Sequence, residues 1–136
     1  MGAQRILPRS DYLDASRPLE KQLWAGAIDT VGDSMLAKIL AQMNYNGAVA
    51  ACGLAGGYNL PTTVMPFILR NIRLQGVDSV MTPQPRRLQA WQRLQKILPE
   101  SFYQQASQAI TLADTPTIAA KLLANEVTGR TLVKVR

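Results

Sequence analysis

Residues 48–57 read Ala48-Val49-Ala50-Ala51-Cys52-Gly53-Leu54-Ala55-Gly56-Gly57, a small apolar run that ends in glycines. An unbroken run of this kind is typical of a central parallel strand that is buried on both faces. Ligands of open parallel sheets bind beyond the carboxyl ends of the strands, and glycines there let the backbone approach a ligand closely. The motif is not GxGxxG, so an ordinary loop is an equal alternative.

Strand and helix patterns alternate on both sides of this run. The sequence predicts strands over 26–32 and 73–80, with helices over 35–43 and 62–71 between the strands. A further helix is predicted over 17–24. Right-handed crossovers make strands in such an order parallel, so the sequence indicates an α/β sheet.

Two prolines, Pro83 and Pro85, interrupt this pattern and predict a boundary between residues 1–82 and 83–136. The second part has the pattern of a helix from about 85 to 98 with an apolar side. Shorter helix and strand patterns follow it, and a final strand is predicted over 130–135. Trp24 and Trp91 both lie at helical spacing with leucines, which predicts core packing for both.

Composition excludes several kinds of site. The chain has 136 residues, 47% of them hydrophobic and 18% charged, which is typical of a folded protein. It has one cysteine and no histidine, which excludes His-ligated metals and Cys/His or Ser/His catalysis within it. The nine acidic residues are scattered, so we expect no metal site. Cys52 is expected to be an inert buried thiol, and the lone cysteine together with the absence of a leader or spanning segment predicts a cytoplasmic protein without a membrane partner.

The net charge of +6 raises the possibility of nucleic-acid binding. The basic cluster consists of Arg86, Arg87, Arg93 and Lys96. Most of these side chains lie opposite the apolar side of the predicted helix. A solvated helix face therefore explains the cluster better than a nucleic-acid partner, and we expect none.

Longer stretches carry a resemblance to a known family. They are residues 2–9, 17–21, 24–33 (WAGAIDTVGD), 36–38, 50–57, 60–71 (LPTTVMPFILRN), 73–81 (RLQGVDSVM) and 129–135. In these stretches the chain resembles the C-terminal part of a medium-chain dehydrogenase/reductase. The branch it resembles is the zinc-independent one that contains acrylyl-CoA reductases and quinone oxidoreductases. The resemblance implies that residues 1–82 are the second half of a Rossmann-type parallel sheet that binds NADP. Residues 83–136 would be an α+β segment that returns to a GroES-like domain.

The resemblance also implies the chemistry. Members of this branch are NADPH-dependent oxidoreductases that transfer hydride to an activated C=C bond, as in acrylyl-CoA, or to a quinone. The phosphate loop and the substrate domain of such an enzyme have no counterpart in this chain, so we expect the isolated chain to be inactive. No residue can be assigned a catalytic role. The resemblance also implies a homodimer, because members of this family often pair their last Rossmann strand with that of a second copy.

Five cofactor-binding residues follow from the resemblance. Arg9 would lie near the 2′-phosphate of NADPH. Leu54 and Ile68 would border the nicotinamide end of the cofactor, Ser79 would touch the same end, and Asn125 would complete the pocket. From the residues alone, turn chemistry is the default for Ser79 and a helix cap for Asn125.

A second hypothesis is a non-catalytic oligomerisation module. The predicted strand 73–80 would be a sheet edge, and an edge strand can pair with a second copy of the chain.

Overall fold

The computed structural model describes residues 3–124 and 126–136. The chain divides into two compact units, which are described separately. The sheet unit is Arg5–Thr82, and the C-terminal unit is Pro83–Arg136 together with residues at the start of the chain.

The sheet unit alternates strands and helices as predicted. Its elements are β1 (Trp24–Asp29), α1 (Asp33–Ala41), β2 (Met43–Ala51), α2 (Met65–Arg70) and β3 (Arg73–Gly76). The strands lie in the order β1-β2-β3, and both pairings are parallel. The predicted α/β sheet is therefore confirmed. The strand predicted over 73–80 is shorter than expected, because it ends at Gly76 and the chain then enters a turn.

Helix α1 covers one face of the sheet and forms the core of this unit. Leu36 and Leu40 of α1 are buried with Met43 and Val49 of β2 and with Ile72, in agreement with the apolar spacing of the sequence. Burial of an aliphatic side chain contributes roughly 1.5–3 kcal/mol, so this cluster dominates the stability of the unit.

The other face of the sheet contradicts the prediction that β2 is buried on both sides. Ala48 and Ala50 of β2 are only half-buried. Ile28 of β1 pairs in register with Ala50, and 79% of its surface is exposed. The prediction fails because α1 covers only the face that carries Val49.

The predicted helix over 17–24 is wrong. Within the described residues, the segment before β1 has only a 3₁₀ turn, Arg9–Tyr12, and Trp24 already belongs to the strand. The backbone N–H of Glu20 donates to the carbonyl of Ala41 at 2.9 Å, and that of Leu23 donates to the carbonyl of Gln42 at 2.8 Å. These N–H groups satisfy carbonyls at the C-terminal end of α1, which a helix leaves without internal partners. Tertiary hydrogen bonds therefore override the local helix pattern.

Arg70 ties three segments of the sheet unit together. Its guanidinium donates to the carbonyls of Ala41 at 2.7 Å and Met43 at 3.1 Å, and also to the carbonyl of Glu20. The end of α1, the start of β2 and the segment before β1 thus share one charged donor. Nothing in the sequence pattern distinguishes Arg70 from a solvated helix arginine.

The side chain of Glu20 extends this network. Its carboxylate accepts a hydrogen bond from Gln42 Nε2 at 2.9 Å and lies 3.7 Å from Lys38 Nζ. Gln42 in turn accepts a hydrogen bond from the indole of Trp24 at 3.1 Å. Partial burial by itself raises the pKa of Glu20, but the Gln42 hydrogen bond and the Lys38 charge outweigh it and lower that pKa below its ordinary value.

The C-terminal unit is a second, smaller α/β arrangement. Its elements are α3 (Gln84–Ile97), α4 (Glu100–Ala106), β4 (Ser107–Thr111), α5 (Thr115–Leu123) and β5 (Arg130–Lys134). Strands β4 and β5 pair in parallel, with α5 as the crossover. The helix predicted from about 85 to 98 and the strand predicted over 130–135 agree with α3 and β5 to within one residue at each end.

Trp91 corrects one expectation for this unit. It lies on α3, but 63% of its surface is exposed, and Leu88 one turn earlier is half exposed. The predicted core packing of Trp91 is therefore wrong, while Trp24 does pack against the core of the sheet unit. An amphipathic pattern identifies the apolar side of a helix but not whether another element covers it.

Candidate functional site

The carboxyl end of β1 closes on a buried carboxylate. Asp29 is 2% exposed. Its carboxylate accepts hydrogen bonds from the backbone N–H of Val31 at 3.3 Å and of Gly32 at 3.0 Å. This is the local chemistry by which aspartate forms a tight turn. The turn directs the chain from β1 into α1 at the edge where ligands of parallel sheets bind.

The glycine-rich loop after β2 packs against this turn. The N–H groups of Cys52, Ala55 and Gly56 donate to the carbonyls of residues 29, 30 and 31 at 2.9, 3.2 and 2.7 Å. A Cβ on Gly53 would lie 2.6 Å from the Thr30 carbonyl oxygen. The two loops therefore approach this closely only because residue 53 has no side chain.

Gly32 and Gly57 complete the contact between the loops. Gly32 has a φ of +73°, and a Cβ there would overlap the carbonyl oxygen of Gly57. A Cβ on Gly57 would overlap the carboxylate of Asp33. The sequence left open whether the glycines serve a ligand or only a loop, and the structure gives them a packing role between two strand exits.

Arg9 lies beside the glycine-rich loop. Its Nη2 atom is 3.8 Å from the position that a Cβ on Gly56 would take. Arg9 is exposed and lines a cavity of about 490 Å³. Tyr12, Ile28 and Met35 are among the other lining residues, so an otherwise apolar cavity carries a cation at its border.

The other predicted site residues have different surroundings. Leu54 lies in the glycine-rich loop with 66% of its surface exposed, and its Cα is 3.5 Å from the position of a Cβ on Gly32. Ile68 lies on α2 with 72% exposed. Ser79 follows β3 in an exposed turn. Asn125 lies outside the described residues. The structure thus brings Arg9 and the Leu54 loop to one edge of the sheet.

The turn that contains Ser79 is organised by its neighbour. The Asp78 carboxylate accepts hydrogen bonds from the N–H groups of Val80 at 2.9 Å and Met81 at 3.0 Å. The Asp78 carbonyl accepts a further hydrogen bond from the hydroxyl of Thr82. The side chains of Val80 and Met81 are strongly exposed.

The prediction that Cys52 is a buried thiol is wrong. Cys52 is exposed. The reason is that β2 ends at Ala51, so Cys52 lies just past the last strand residue. Its Sγ still approaches the carbonyl oxygen of Asp29 at 3.3 Å.

Residues 3–124 and 126–136 have neither a metal-binding cluster nor a membrane-spanning helix. They contain no group of three or more cysteine, aspartate or glutamate side chains placed to hold a metal ion. None of their helices combines the length and the apolar character that crossing a membrane requires.

Comparison with known proteins gives a consistent set of relatives. No protein-family model matches the chain. The chain is 69% identical over 135 residues to a protein of Escherichia coli (strain K12) named "Probable acrylyl-CoA reductase AcuI". It is 46% identical over 136 residues to acrylyl-CoA reductase AcuI of Ruegeria pomeroyi. Each match covers 99% of this chain but 41% of the relative, so the chain spans about two fifths of the length of these proteins.

Solved structures share the fold. The structure of E. coli K-12 YhdH with bound NADPH is 69% identical, with a TM-score of 0.93 over 99% of this chain and 42% of that one. The structure of Bacillus subtilis YhfP with NAD bound is 38% identical, with a TM-score of 0.90 over 98% of this chain and 41% of that one. The family resemblance and the Rossmann-type fold class are therefore confirmed.

Proposed function

We propose that the chain is a segment of a protein from the acrylyl-CoA reductase and quinone oxidoreductase branch of medium-chain dehydrogenases/reductases. On this premise, the chain is part of an NADPH-dependent reductase. The complete enzyme transfers hydride to the activated C=C bond of an acyl-CoA such as acrylyl-CoA. The observation that carries this proposal is the 69% identity over 99% of the chain to a protein named as an acrylyl-CoA reductase. A quinone is the other acceptor that the resemblance allows.

The proposed division of labour follows the two units. Residues 1–82 act as the C-terminal half of the NADP-binding Rossmann domain, and residues 83–136 return to the catalytic domain. Support comes from the separation of the described chain at Thr82 and Pro83. Support also comes from the parallel order of β1, β2 and β3, which a Rossmann half requires.

The residues at the carboxyl edge of the sheet fit a phosphorylated dinucleotide. The exposed guanidinium of Arg9 lies beside Gly56 of the glycine-rich loop, where no side chain separates it from the loop backbone. A guanidinium offers a fork of donors and a fixed charge, which favours a 2′-phosphate over a hydroxyl. When bound, the cofactor supplies the hydride, and the protein supplies binding and orientation.

The other proposed contacts concern the nicotinamide end. The exposed side chains of Leu54 and Ile68 give apolar surface for a ring, and Ser79 gives a hydroxyl and a backbone amide. Asn125 would complete this end of the site. We assign no catalytic acid, since the proton for the α-carbon of the substrate would come from the part of the enzyme that this chain does not match.

Activity of the isolated chain is the first test. We expect no NADPH oxidation by the 136-residue chain with acrylyl-CoA or with a quinone, because the phosphate loop and substrate domain of the family lie in the unmatched part. A chimera in which this chain replaces the matching segment of the E. coli relative should oxidise NADPH with acrylyl-CoA. An inactive but folded chimera, or robust turnover by the chain alone, would contradict the proposal.

The second test concerns Arg9 in the same chimera. The substitution Arg9→Gln should weaken NADPH binding at least tenfold and leave NADH binding within twofold, since only NADPH carries the 2′-phosphate. Arg86→Gln, an exposed arginine of α3, serves as the matched control. Equal losses for both cofactors would remove Arg9 from the 2′-phosphate site.

We propose that the complete enzyme is a cytoplasmic homodimer. The alternative function of this chain is a non-catalytic oligomerisation module, which would pair two copies of the chain through residues 73–80. Its support is that β3 forms one edge of the sheet and that Val80 and Met81 beyond it are exposed. Sedimentation of the chain over a range of concentrations tests it, with Met81→Lys expected to weaken association. A strictly monomeric chain at high concentration would contradict both the module and pairing through this edge.

A further inference from the structure

The buried carboxylate of Asp29 has both of its oxygens engaged by the backbone. The N–H of Gly32 lies 3.2 Å from Oδ1 and 3.0 Å from Oδ2, and the N–H of Val31 lies 3.3 Å from Oδ1. Asp29 is 2% exposed, so water cannot replace it as the acceptor for the buried N–H of Gly32. The shape of this turn therefore depends on one side chain.

A similar turn after β3 shows how Asp29 differs from an ordinary turn aspartate. The Asp78 carboxylate also accepts hydrogen bonds from two N–H groups, those of Val80 and Met81, but Asp78 is exposed and water can replace it. Among the described residues, no cation forms an ion pair with Asp29. Burial of a carboxylate without a cation is costly, so its hydrogen bonds to the two N–H groups are the interactions that compensate for it.

The same two peptide groups hold the glycine-rich loop, residues 53–57. The carbonyls of Thr30 and Val31 accept hydrogen bonds from the N–H groups of Ala55 at 3.2 Å and Gly56 at 2.7 Å. The Thr30 carbonyl shares a planar peptide group with the N–H of Val31, and the Val31 carbonyl shares one with the N–H of Gly32. When the Asp29 carboxylate fixes these N–H groups, it therefore also fixes the direction of the two carbonyls that hold the loop.

We infer that Asp29 is a positioning residue for the cofactor-binding edge of the sheet. It acts through two peptide planes, whose carbonyls place the loop that contains Leu54. The same loop passes beside Arg9, whose Nη2 atom is 3.8 Å from the position of a Cβ on Gly56. The inference rests on the proposed function, since it takes NADPH as the ligand of this edge. All the contacts on which it depends lie within the chain itself.

Calorimetric titration of NADPH and of NADH into the chimera described above tests the inference. Asp29→Ala should weaken the binding of both cofactors by the same factor, roughly tenfold, because Leu54 would contact a part that the two cofactors share. Asp29→Asn should bind both within about threefold of the parent, since asparagine supports the same kind of turn. If Asp29→Ala does not fold, Asp29→Ser takes its place, because a serine hydroxyl supports this turn more weakly than asparagine does.

Arg70→Met is the control that separates positioning from a purely structural role. Arg70 holds carbonyls at the end of α1 and the start of β2, which is the opposite end of the strand from the glycine-rich loop. This variant should lose stability in urea and still bind both cofactors within about twofold of the parent. Urea unfolding of every variant gives the stability against which the affinities are compared.

Three outcomes in a parent chimera that binds NADPH would overturn the inference alone. They are an Asp29→Ala variant that is destabilised but binds both cofactors like the parent, a loss confined to NADPH, and an Asp29→Asn variant as weak as Asp29→Ala. The second would place the effect on Arg9 rather than on the loop, and the third would assign it to the charge rather than to the turn. A folded parent chimera that binds neither cofactor would instead refute the proposed function, and the inference with it.

Discussion

Replacing Arg70 by methionine should destabilise the sheet unit strongly. Methionine keeps most of the aliphatic stem and removes the guanidinium, so the change isolates the hydrogen bonds to the carbonyls of Glu20, Ala41 and Met43. Hydrogen bonds from a charged donor contribute about 1.5–3 kcal/mol each. The Ala41 carbonyl keeps the hydrogen bond from the Glu20 N–H after the substitution, which limits the loss. Because Arg70 is half-buried and water can replace part of the interaction, we expect a loss of about 2–4 kcal/mol.

Urea unfolding followed by the fluorescence of Trp24 measures this loss, since Trp24 packs against the core of the same unit. Trp91→Phe, in the C-terminal unit, serves as the background for every variant so that one tryptophan reports. Arg70→Lys should lose about half as much as the methionine variant, because an ammonium keeps the charge but not the planar fork. Arg86→Met makes the same chemical change at an exposed position of α3 and should stay within about 0.5 kcal/mol of the parent. If Arg70→Met and Arg86→Met have equal free energies of unfolding, Arg70 does not connect the three segments.

Two further predictions concern the same unit. Gly53→Ala should lower the free energy of unfolding by about 1–3 kcal/mol, because its Cβ would lie 2.6 Å from the Thr30 carbonyl oxygen, whereas Gly76→Ala, with nothing within 4 Å, should change it little in the same urea titration. Because folding lowers the pKa of Glu20, the ionised carboxylate stabilises the fold at pH values above the ordinary pKa of a glutamate. This stabilisation is lost as the pH falls through the lowered pKa. The difference in unfolding free energy between the parent and Glu20→Gln should therefore be constant near neutral pH and change towards acid pH, and a difference that is the same at neutral and strongly acid pH would contradict the role of the Lys38 pair.

Much of the fold could be predicted because its signals are local. The spacing of Leu36 and Leu40 predicted the buried side of α1, and the apolar run before Cys52 predicted the central strand. The glycines after that strand were identified as an exit at the carboxyl edge. Their packing partner was not, because Asp29 and Gly53 are far apart in sequence and meet only when β1 and β2 pair.

The candidate site could be predicted only in part. Arg9 and Leu54 were named through a family resemblance, and the structure brings Arg9 and the loop of Leu54 to one edge. Their roles stay predictions, as do those of Ile68, Ser79 and Asn125. No residue pattern identifies a cofactor contact when the glycine spacing departs from a known phosphate loop.

By itself, the sequence determined the alternation of strands and helices, the parallel direction of the strands in the sheet unit, and the apolar sides of α1 and α3. These follow from backbone geometry and from side-chain periodicity over a few residues. Only the tertiary structure decided that residues 17–23 would not be helical, that Arg70 would hold three carbonyls, and that Trp91 and Cys52 would be exposed. Each of these depends on which distant group supplies a hydrogen bond or covers a surface, and local periodicity does not contain that information.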